Sequence, residues 1–121
     1  NHNEVNKDAD HYLAMLFAST DVSAVGSYSG TGSSQTITLG FQPKFIIVKN
    51  STDSSQGWFV FDTQRGWGSG ADPFMRLNET HASGGGYDHD YGAPTSTGFT
   101  ISSTDGGMNG SGKNYIYYAH A

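Results

Sequence analysis

Cysteine is absent from the chain, which excludes disulfides, zinc–thiolate sites and thiol catalysis together. Small secreted domains of higher organisms usually carry disulfide staples. Their lack points to a bacterial, viral or cytosolically assembled protein, with oligomeric packing supplying the missing stability. Basic residues are scarce too: six Lys and Arg, scattered among eleven Asp and Glu, leave a formal charge of −5. A surface that tracks phosphates needs clustered cations, so nucleic acid is not an expected partner. No apolar run approaches the ~20 residues of a membrane-spanning helix. No secretory leader pattern is visible, and the chain opens on Asn1 rather than Met. The expectation is a processed product or a piece of a longer polypeptide.

What the chain does have is glycine, hydroxyl residues and aromatics. Its 121 residues suit one domain with a modest core, and the 13% aromatic share makes that core aromatic-rich. Seventeen glycines among many Ser and Thr residues suppress helix and favour short strands joined by turns. No segment carries a helical apolar stripe. Strands are expected in "VGSY" and "QTITL", read as a hairpin around the turn "SGTGSS". Further strands are expected in "KFIIVKN", with an apolar centre buried on both faces, and in "WFVFDT" from Trp58 to Thr63. "MRLNET" is a candidate short strand. "GFTISST" sets Phe99 and Ile101 on one face, and "DGGMNGSGKN" is read as a long hairpin loop before the closing strand "NYIYYAHA". Short strands at this spacing predict an all-β, antiparallel β-sandwich of jelly-roll or lectin-like type with long Gly-rich loops.

The first ten residues are polar and aperiodic, as a linker or arm is. They lead into "HYLAMLFAS", apolar almost without a break, which suits either one buried helical turn or a buried strand. Aligning Tyr12 with Tyr115 sets Leu13 on Ile116, Met15 on Tyr118 and Ala18 on Ala121, so this segment looks like a copy of the closing strand. The division expected is an N-terminal arm, residues 1–18, resembling the last strand of a preceding unit, and a sandwich domain, residues 19–121. Tyr12, Leu13, Met15 and Phe17 are the candidate assembly strand, able to complete a neighbour's sheet.

Several motifs together carry a resemblance. "GSYSGTGSSQTITLGFQPKFIIVKN" is followed by "GWFVFDTQRG", and then by "STGFTISSTDGGMNGSGKNYIYYAHA". Over residues 24–121 this resembles a repeated domain of bacteriophage tail-fibre and related virion structural proteins. There a Tyr-x-Gly-x-Gly opening, a Gly-Phe-x-Pro strand ending in Val-Lys, a Trp-x-x-apolar-Asp segment and a closing Tyr-apolar-Tyr-x-Ala strand follow one another. The resemblance implies a concanavalin-type, SPRY-like sandwich in a virion particle. The Gly-rich, acidic stretch 66–94 departs from the family pattern, so no receptor or ion specificity is carried over there.

Chemistry-bearing residues concentrate in that stretch. Trp67, Tyr87 and Tyr91 sit among glycines beside Asp88, His89 and Asp90, a combination that suits stacking on a sugar face or packing on a neighbouring subunit. Asp88 and Asp90 are the candidate Ca2+ ligands, since hard cations want several carboxylate and carbonyl oxygens; no other cofactor is expected. Asn109, in the second Gly-rich loop, joins the candidate contact residues. Trp58 reads as core, and Arg65 as the partner of Asp62 or Asp72. Sequons fall at Asn50, Asn78 and Asn109. "SGTGSS" lacks the lysine and the helix of a phosphate loop, no nucleophile elbow occurs, and no carboxylate pair is held at a defined spacing. The expectation is a non-catalytic structural or adhesion module of a virion, a tail-fibre domain forming homo-oligomers and touching host-surface glycan or other virion subunits. A capsid decoration protein, a filament subunit assembled by strand exchange and, from another class, a glycan-active enzyme are the alternatives.

Overall fold

In the computed structural model, which describes residues 8–78 and 89–121, every regular element is a strand. Eight strands follow in order: β1 (Ser23–Ser29), β2 (Gln35–Thr38), β3 (Phe45–Asn50), β4 (Trp58–Asp62), β5 (Met75–Arg76), β6 (Pro94–Thr95), β7 (Gly98–Ile101) and β8 (Asn114–His120). All pairings are antiparallel. They form a five-stranded sheet, β1-β8-β3-β4-β5, and a three-stranded sheet, β2-β7-β6. The all-β, sandwich-like expectation holds.

Two of the expected hairpins do not form. β1 and β2 belong to different sheets, and so do β7 and β8, so both Gly-rich connections cross between layers. The physical reason lies in where the apolar residues find cover. Ile37 of β2 pairs in register with Phe99 of β7, whereas Tyr28 of β1 pairs with Tyr115 of β8. The Tyr28 and Tyr115 rings stack at 4.9 Å. "KFIIVKN" is not buried on both faces either, because β3 alternates between half-buried and buried along its length.

The inward set of the larger sheet is Tyr28, Ile46, Val48, Phe59, Phe61, Tyr115 and Ala119, and it meets Phe99 and Ile101 of the smaller sheet. Three strands cannot cover five. The uncovered end over β4 is closed by loop aromatics: Phe74 and Tyr91 lie 5.1 and 5.7 Å from the Phe59 ring, and Trp67 lies 6.3 Å from both Phe61 and Phe99. The Arg76 guanidinium rests on the Phe59 ring at 4.7 Å.

Candidate assembly surface

The described parts of the irregular loops turn out to be plugs of the core. Trp67 and Tyr91, expected on an exposed contact surface, are each 5% exposed. The backbone turns at Thr63–Gly66, and the Trp67 amide donates to the Asp62 carbonyl, which drives the indole inward. Asp72 stitches the loop together. Its buried carboxylate accepts from the Gly68 amide at 2.7 Å, the Tyr91 amide at 2.7 Å and the Gly92 amide at 3.1 Å. Burial raises its pKa above the ordinary aspartate value, against the pull of those three amides and with a small push from Asp90. Arg65 pairs with Asp62 alone of its two expected partners.

Asn109 is likewise no surface ligand, being fully buried. Its Oδ1 accepts from the Thr31 amide and from Gln35 Nε2, and its Nδ2 donates to the Ser33 carbonyl, so one amide ties two Gly-rich connections together. The 105–113 loop is pinned further. Tyr28 donates to the Met108 carbonyl at 2.6 Å, while Tyr115 and Asn50 Nδ2 both donate to the Gly106 carbonyl at 2.7 Å. At Gly107 a Cβ would stand 2.5 Å from the Phe59 ring, so glycine is required where the loop lies on the core. Two sequon asparagines, Asn50 and Asn109, therefore serve as buried structural amides. Burial also lifts the phenol pKa values of Tyr28, Tyr115 and Tyr117, that of Tyr28 with help from Tyr115.

His89 and Asp90 are exposed, as expected of them. His89 offers its carbonyl to the Asp72 amide, and the Asp90 carboxylate accepts from Ser102 Oγ at 2.7 Å. Tyr87 and Asp88 lie outside the described residues. Among the described residues no cluster of three carboxylate or imidazole ligands forms around Asp90 or elsewhere.

The surface open to contact is a different one. Strand parity puts Val25, Tyr118, Ile47, Val60 and Met75 in one row across the outer face of the five-stranded sheet, each in register with the next. Ile116, Lys49 and Trp58 form the row beside it. Val60 is buried, but Trp58 is 38% exposed, and Val25 and Ile116 are similarly open. Trp58, expected in the core, points outward because Phe59 and Phe61 take the inward parity of β4.

The N-terminal segment lies over this face. Residues 11–19 form neither the helical turn nor the strand expected of them and are exposed throughout. They join no sheet, because β8 already holds the place between β1 and β3 that their sequence resembles. Phe17 packs on Tyr118 with ring centroids 4.3 Å apart. Met15 and Phe17 border two adjoining open cavities of ≈ 220 and ≈ 300 Å³, whose other walls include Ile47 and Trp58. Tyr12 is half exposed, and Leu13 and Leu16 are 90% and 95% exposed. Exposed apolar side chains gathered in this way are uncommon on a monomer's surface. Sequence reasoning picked out the arm and missed the face, although apolar residues at both parities of "FIIV" and "YIYY" signalled it.

A family model described as a domain of unknown function, DUF7483, matches residues 1–121. The chain belongs to the DUF7483 family. The family match takes in the arm as well as both sheets, so the exposed segment lies within the DUF7483 domain. No curated protein and no solved structure matches the chain.

Proposed function

We propose that this DUF7483 domain is a non-catalytic structural module of a virion, a bacteriophage tail-fibre-type domain that joins its neighbours through the arm and the outer sheet face. The observation that carries the reading is the exposed apolar arm lying on an incompletely covered apolar sheet. The resemblance to repeated virion domains supplies the setting. Burial of Trp67 and Tyr91 removes two of the three aromatic platforms suggested for glycan stacking. Contact with protein subunits is therefore favoured over contact with host-surface glycan.

Antibodies against the purified chain, used for immunoelectron microscopy of material from its source, test the proposal. Labelling of tail fibres is the expected result. Labelling of capsid shells would replace it with a decoration role, and labelling of cell-borne filaments with a strand-exchange subunit, the reading favoured by the likeness of the arm to β8. Release of new reducing ends from polysaccharide by the pure chain would overturn the non-catalytic assignment.

A further inference from the structure

We infer that the occupant of the outer face is a second copy of this chain, packed back to back so that each arm is buried between two five-stranded sheets. This rests on the reading of the face and arm as an assembly surface and names its partner. The arm is apolar on both sides. Met15 and Phe17 line the cavities on the chain's own sheet, while Leu13 and Leu16 face solvent almost completely. A segment with two apolar sides and one covered side lacks a second layer.

The second layer is available on the molecule itself. The arm forms a ridge, and the cavities beside it, walled by Val25, Ile47, Trp58 and Ile116, form a groove. Ridge beside groove is self-complementary under a two-fold axis, so the Leu16 ridge of each copy enters the groove of the other. The large apolar side chains left exposed, among them Leu13, Met15, Leu16, Trp58, Leu77 and Ile116, gather on the arm and this side of the molecule, a concentration of the kind that marks a protein interface. Charge is compatible with this face: two copies each carrying −5 repel wherever carboxylates meet, the residues walling both cavities include no carboxylate, and Lys49, the cation in the row between Ile116 and Trp58, turns its ammonium to the Asn50 and Asp53 carbonyls.

Sedimentation velocity of the full chain, from low micromolar to submillimolar concentration, should show a species of twice the 12.9 kDa chain mass. Leu16→Glu should weaken the dissociation constant at least tenfold without moving the melting temperature of the monomer, because the side chain is open in the single copy. Thr36→Glu, exposed on the smaller sheet, should leave association unchanged. The chain has no cysteine, so mixing Leu16→Cys with Ile116→Cys chains should give a disulfide-linked heterodimer under mild oxidation. A chain that stays monomeric at every concentration overturns the inference, as does a Leu16→Glu chain that dimerises like the parent. A monomeric chain that still labels tail fibres leaves the virion reading standing. A dimer that labels no particle does the reverse.

Discussion

The two faces of the five-stranded sheet are made by the same strands from similar residues, yet they lead different lives. Inward, Ile46, Val48, Phe59, Phe61 and Tyr115 are sealed by the second sheet and by the loop aromatics. Outward, Val25, Ile47, Trp58, Ile116 and Tyr118 meet only an arm that covers them in part. Hydrophobicity does not separate the faces; what lies opposite does. A strand that is apolar at both parities requires two covers, and here the chain's own fold supplies one of them in full.

The largest test of that contrast is truncation of neighbouring residues on opposite faces. Phe59→Ala opens a cavity beneath Phe61, Phe74 and Tyr91 and should cost about 3–5 kcal/mol in urea unfolding. Alkaline unfolding comes next. Folded-state pKa values of Tyr28, Tyr115 and Tyr117 lie above the unfolded value of 10.0. Their contribution is therefore complete below pH 10 and is lost as pH climbs above it. Tyrosinate absorbance should show these three phenols ionising together with loss of the fold.

Asp72→Asn should cost about 1–3 kcal/mol, because an amide nitrogen would be turned toward backbone donors now bonded to carboxylate. Its pH dependence has a definite sign. The raised folded pKa means that the native state holds the Asp72 proton more tightly than the unfolded chain. That contribution is full below the unfolded value of 3.8 and fades as pH rises through the folded one. The gap between parent and variant in urea midpoint should therefore be wider at pH 4 than at pH 7. The smallest effect belongs to the outer face. Trp58→Ala should change monomer stability by no more than roughly 1 kcal/mol while weakening self-association. A Trp58 variant as damaged as Phe59→Ala would show that the outer face is sealed within one copy.

Strand positions were legible because period-two alternation and aromatic or β-branched content are local properties. "KFIIVKN", "WFVFDT", "GFTISST" and "NYIYYAHA" hold β3, β4, β7 and β8. Connections were less legible. A Gly-rich turn such as "SGTGSS" can close a hairpin or carry the chain to another sheet, and the choice depends on partners such as Phe99, more than sixty residues from Ile37. The tryptophans show the limit most clearly. Trp58 sits in a strand and looked like core, while Trp67 sits among glycines and looked like surface. The parity set by Phe59 and Phe61 reversed the first assignment. The shortage of strands opposite β4 reversed the second. Asn109 resembled a loop-tip residue because nothing local announces that its amide bridges two connections.

By itself, the sequence determined that this chain forms short antiparallel strands, that its core is aromatic, and that its arm repeats the chemistry of its closing strand. Those outcomes follow from side-chain periodicity, composition and glycine content, which act over a few residues. Only the tertiary structure decided which apolar face is sealed, which loops fill the core and which apolar surface stays exposed. Those depend on how many strands each sheet has to offer the other, and with five facing three, loop aromatics close the inner gap while the outer face stays open.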